Sequence, residues 1–156
     1  MAALLGLSLI ACGNKASSSG GGSGPSGSAA SGNATAEQDC VDTINMYRAT
    51  LSLPPYARWT DAEACADGQA LKDGTAMSAH SAFGTCQENA QDECPGWPGP
   101  PETMIGGCLK MMWAEGPGPF NGHGHYINMS STQYTKVACG FHVFPDGSVW
   151  ATQDFR

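Results

Sequence analysis

At 156 residues with 41% hydrophobic side chains, the chain has room for one domain with a core of its own and a tail, and global disorder is excluded. A net charge of −7 argues against nucleic acid or an anionic membrane surface as the main partner. Beyond that, the acidity bears only on solubility.

The chain opens on Met1 to Cys12, which is apolar but too short to span a bilayer. It reads as the end of a secretory signal, and Leu9-Ile10-Ala11-Cys12 resembles the bacterial lipobox, whose cysteine is lipidated and becomes the mature N-terminus. The basic segment that precedes such a stretch is missing, so the natural start is expected upstream; a plain cleaved signal with an incidental Cys12 is the alternative. Asn14 to Ser31 is almost entirely Gly, Ser, Ala, Pro and Lys, a flexible tether with nothing to bury. The expected division is a signal end with lipobox over 1–12, a linker over 13–35 and a folded domain over 36–156.

A first helix is predicted from Ala36 to Leu51, opened by the capping-box pair Thr35 and Gln38 and carrying Val41, Ile44, Tyr47, Arg48 and Leu51 on one face. Leu53-Pro54-Pro55 ends it. Trp59 reads as a core anchor, and Thr60 with Glu63 opens a second helix that Asp73-Gly74 stops near Lys72. His80 follows among small residues. Gln91 to Pro101 is dense in Pro, Gly and acids and reads as an irregular loop. A third helix fits Glu102 to Glu115, with a thick apolar stripe from Met104 to Met112. After Gly116-Pro117-Gly118-Pro119 comes a glycine-spaced histidine stretch holding His123 and His125. Two β runs, Lys136 to Phe144 and Ser148 to Phe155, meet at Pro145-Asp146-Gly147 and predict an antiparallel hairpin that delivers the histidine loop. Helices and antiparallel strands without βαβ alternation indicate an α+β domain.

With Cys12 set aside, the remaining six of seven cysteines are Cys40, Cys65, Cys86, Cys94, Cys108 and Cys139, an even number in an exported chain. They read as three disulfides of open connectivity, with Cys86 to Cys94 as the cheapest local pairing. No CxxC spacing supports a zinc-cysteine site.

From Glu37 to Phe155 the chain resembles the CAP superfamily, the cysteine-rich secretory and pathogenesis-related proteins with SCP-like domains. The resemblance rests on Asn45 and Arg48 in the first helix, Pro55 to Asp61, His80-Ser81, Gln87-Glu88-Asn89, Trp113-Ala114-Glu115, Gly124-His125-Tyr126 and Val137-Ala138-Cys139-Gly140, all in family order. Gln87 stands where the family has glycine, and the second cysteine signature is absent, which points to a bacterial lipoprotein branch. The resemblance implies an α-β-α sandwich of three or four helices on a small antiparallel sheet, with a cleft where His80, Glu88, Glu115 and His125 converge. His80 and His125 would then be the metal ligands, for zinc or another divalent cation, with the carboxylates orienting the rings or ligating directly. His123 reads as a bystander, and His142 as a solvent-facing strand residue. The expected function is an exported, lipid-anchored module that binds a small ligand, an envelope or peptide component, or a metal, touching the membrane only through its anchor. The alternative is a weak metal-dependent peptidase using the same four residues; no nucleophile elbow or H-E-x-x-H motif is present, and no catalytic residue is assigned.

Overall fold

The computed structural model describes residues 33–156, so the lipobox, Cys12 and nearly all of the predicted linker lie outside the described residues. The elements in chain order are α1 (Ala34–Thr50), β1 (Ala57–Arg58), α2 (Thr60–Ala76), β2 (Ala90–Pro98), α3 (Pro101–Ala114), α4 (Gly124–Ser130), β3 (Lys136–Val143) and β4 (Ser148–Phe155). The strands form one sheet in the order β1-β3-β4-β2, antiparallel except for the two-residue pairing of β1 with β3. Helix α2 covers one face, and α1, α3 and α4 pack on the other side, giving three layers in an α+β domain. Among the described residues no helix is long and apolar enough to cross a membrane.

The two faces are built differently. Towards α1 and α3 the sheet buries bulk: Val41, Ile44, Ile105, Leu109, Val137 and Phe155 are all nearly inaccessible. Towards α2 it buries small and polar groups. Ala62, Ala66 and Ala70 bring that helix close, and Gly140 on β3 admits it. A Cβ at Gly140 would collide with the backbone at Ala66 and Asp67, so only glycine permits this approach. Small residues also explain why β3 is buried on both faces although its sequence half alternates.

The motif residues of α1 hold the layers together. Asn45 exchanges two hydrogen bonds with the backbone of Tyr56, at 2.9 and 2.7 Å. The Arg48 guanidinium is buried, donates to the carbonyls of Pro54, Met129 and Ser131, and lies 3.5 Å from the centre of the Tyr56 ring. Tyr56 is therefore the buried anchor here. Trp59 is half-buried beneath the Lys136 ammonium, at 4.1 Å, and is not the core residue its size suggests.

Several boundaries depart from the sequence expectation. Helix α1 starts at Ala34, two residues inside the predicted linker, behind Asn33, whose side chain donates to the Phe141 carbonyl and to Asp67. Neither capping box forms: Thr35 and Thr60 already lie within their helices, and the N-cap positions belong to Asn33 and Trp59. Helix α2 runs past Asp73-Gly74 to Ala76, because Asp73 is buried and Gly74 sits against the rings of Phe144 and Trp150; Met77, in the left-handed region, ends it. Helix α3 starts with Pro101 at its first position, where a missing N–H costs nothing, and ends at Ala114. The largest correction is β2: the segment read as an irregular loop is an edge strand paired to β4. Its Pro95 and Gly96 are absorbed at a register shift between Cys94 and Trp97.

Three disulfides form, Cys40–Cys139, Cys65–Cys86 and Cys94–Cys108. The local Cys86–Cys94 pairing is overturned. Cys94 lies on β2 and bonds to α3, whereas Cys86 sits on the turn after α2 and bonds back to that helix. Three bridges fit an oxidising, exported environment.

Candidate functional site

The site lies beside β2, where the turn carrying His80 meets the N-terminus of α4. The segment from Met77 to Gln87 has left-handed backbone at Met77, His80 and Gln87. Three non-glycine residues in that region store strain that the surroundings must hold. Buried acids supply the hold. Glu93 accepts the His80 N–H at 2.8 Å, Asp73 accepts the Ser81 hydroxyl, and Glu88 accepts the backbone N–H groups of Gly84 and Cys86 and the Gln69 side-chain amide. Cys65–Cys86 ties the same turn to α2. His80 itself, its side chain 46% exposed, points Nδ1 at Gln91 Oε1, 3.0 Å away.

His125 arrives from the other side. The histidine stretch is not a loop delivered by the hairpin; it enters the short helix α4 at Gly124, which fixes His125 in the first turn. Glu115, just past the end of α3, caps the start of α4: its carboxylate accepts the N–H groups of His125 and Tyr126 and contacts His125 Nδ1 at 2.5 Å. Trp113 stacks on Tyr47 and meets Tyr126, with ring centres 5.2 and 4.6 Å apart, which fixes the end of α3 against α4.

His80, Glu115 and His125 line one cleft of about 210 Å³, together with Gln91, Asp92 and Asn128. Glu88 does not line it. Its oxygens are taken up in supporting the His80 turn, because a carboxylate among convergent backbone N–H groups is an anchor. Gln91 occupies the place expected of Glu88 beside His80, and its Nε2 bonds Gln69 and Asp154. His123 turns away, Nδ1 against the carbonyls of Glu115 and Gly116. His142 is half-buried against the Phe144 ring, 4.6 Å between centres, and not simply turned to solvent.

In both cleft histidines Nδ1 faces a protein oxygen, which leaves Nε2 of each as the nitrogen a cation could take. A carboxylate or amide oxygen behind an imidazole is the arrangement that orients and strengthens a metal-binding histidine, so the chemistry of each imidazole suits zinc, although among the described residues no cleft acid joins both rings in a set of three ligand atoms within 4.8 Å of one another. Among the described residues, three potential ligand atoms lie within 4.8 Å of one another at Cys86, Glu88 and Asp154, but that sulfur is in a disulfide.

Asp92, Gln91 and Asn128 were not singled out by the sequence. Asp92 and Glu93 look like surface acids until β2 is seen to be a strand. Alternation then sends Gln91 and Glu93 towards the His80 turn and Asp92 towards Asn128, which donates to it at 2.7 Å. Burial is the first cause that drives the Asp92 carboxyl well above the ordinary carboxylate range, and Glu115 nearby adds to it.

No family model and no curated protein matches the chain. A solved structure, the crystal structure of Na-ASP-1, a CAP/SCP family protein, superposes with a TM-score of 0.54 at 15% sequence identity. The match covers 78% of this chain and 38% of Na-ASP-1, so the chain spans well under half of that protein's length. At this identity the likeness speaks for the fold alone: the domain is a CAP-like α+β sandwich.

Proposed function

We propose that the domain is an exported CAP/SCP-like binding module of a bacterial lipoprotein, anchored through Cys12 at the outer membrane or cell surface. Its cleft takes a divalent cation, zinc first, with a small polar ligand or envelope component beside it. The observation that carries this reading is the pair of imidazoles lining one cleft, each with Nδ1 engaged by Gln91 or Glu115. A cation held by two nitrogens keeps open positions for water or ligand, so affinity is modest, and it falls with falling pH as protons compete for the same nitrogens. Zinc would supply Lewis acidity to whatever fills the open positions. A peptidase route through Glu88 or Glu115 would first have to break the hydrogen bonds that both already make.

Calorimetric titration of zinc into the wild type and into His80→Ala/His125→Ala tests the reading. Saturating heat near one equivalent in the wild type, lost in the double variant, is expected. Equal heats from the two proteins would overturn it.

A further inference from the structure

The cleft continues beyond the histidines. Past His80 and Gln91 it opens into a groove of about 340 Å³ that runs by Phe83, Asn89 and Phe120 to Tyr134. The two parts share His80, Gln91, Phe120 and Asn128, so they form one channel. Two features of it are left unmatched by the fold. Phe120 is 71% and Phe83 48% exposed, and phenyl rings left in water along a groove mark a surface that expects a partner. On the floor, Asp92 is 1% exposed, yet its Oδ2 has no hydrogen-bond partner among the described residues. A buried polar oxygen left unpaired is costly and calls for an explanation.

The chemistry narrows the occupant. Among the described residues neither part of the channel is lined by lysine or arginine, so an anionic ligand would find Glu115 and no counter-charge. An acyl chain would satisfy the rings but leave Asp92 Oδ2 unmatched and cover the exposed Asn89 amide. A ligand with an apolar face and hydroxyl or amide groups around its edge satisfies both, and a pyranose ring has that shape.

We propose that this channel binds a short stretch of neutral glycan, its rings stacked on Phe120 and Phe83 and a hydroxyl or N-acetyl amide group meeting Asp92. The inference rests on the cleft being a ligand site but needs no metal. Burial raises the Asp92 carboxyl above its ordinary range, and Oδ1 accepts from Asn128, so Oδ2 is the oxygen left for a ligand group.

The test is an NMR titration of the protein in EDTA with triacetylchitotriose, with cellotriose and with an uncharged Gly/Ala peptide. One of the sugars should saturate in the roughly millimolar range and shift the amides of Asn89, Asp92 and Phe120. Phe120→Ala should weaken it about tenfold. Asp92→Asn, which keeps the acceptor for Asn128 and a polar group beside it, should stay within about threefold, and Asp92→Ala should lose about tenfold. If Asp92→Ala folds poorly, Phe120→Ala carries the test, since that side chain is 71% exposed. Silence from both sugars, equal affinity in Phe120→Ala, or preference for the peptide would overturn the inference. A zinc response that survives such silence leaves the metal reading standing, so the two failures are distinguishable.

Discussion

Glu93 shows how one side chain serves both stability and site. Its Oε1 accepts the His80 N–H and its Oε2 accepts Trp150 Nε1–H, each at 2.8 Å, so it holds the histidine turn to the sheet. Burial, and then the neighbouring Asp73 carboxyl, push its pKa up to about 8. The folded state therefore holds more protons than the unfolded chain between the ordinary glutamate value and about 8, and stability falls as pH rises. The contribution is complete below about pH 4.3 and is lost as pH climbs through the folded value. Asp154, raised by burial to about 7, acts in the same sense. Thermal unfolding should show Tm declining from about pH 5 to about pH 8, with a flatter slope and a lower acid-side Tm in Glu93→Gln. A wild-type Tm that rises over this interval would contradict the assignment. None of this was legible in the sequence, where Asp92-Glu93 beside Pro95 and Gly96 has the composition of a solvated loop; acids are so seldom fully buried that only the pairing of β2 with β4 reveals their place.

The elements divide by how local their signals are. The hairpin β3–β4 and the helices α1 and α3 follow from periodicity and turn residues, and they sit within a residue or two of the expected bounds. Strand β2 and helix α4 depend on partners far along the chain. Glycine at 122 and 124 signals a loop, yet Glu115 supplies the capping charge that lets a helix start there. The turn from Met77 to Gln87 is the other long-range construction, and Cys65–Cys86 closes 21 residues across it. Replacing both cysteines by serine should cost about 3 kcal/mol. It should also raise amide exchange over residues 78–87 more than in α3, read by hydrogen-exchange mass spectrometry. Equal protection of that turn in the variant and the wild type would show that the buried acids alone fix His80.

Across the whole molecule, the three layers explain why the cleft sits where it does. The sheet ends at β2, and on either side of that edge an outer layer contributes one histidine: His80 from the turn after α2, His125 from α4. Their family-like motifs were visible in the sequence, but which acids would stand beside them was not. Glu115 reaches His125 because α3 ends against α4, whereas Glu88 is turned inward under its own turn. The proposed function therefore depends on both rings serving one ligand position. Substoichiometric Cu²⁺, added while the imidazole proton resonances are followed by NMR, tests this most directly. The rings of His80 and His125 should broaden together while His142 stays sharp; broadening of one without the other, or of His142 to the same degree, would contradict it.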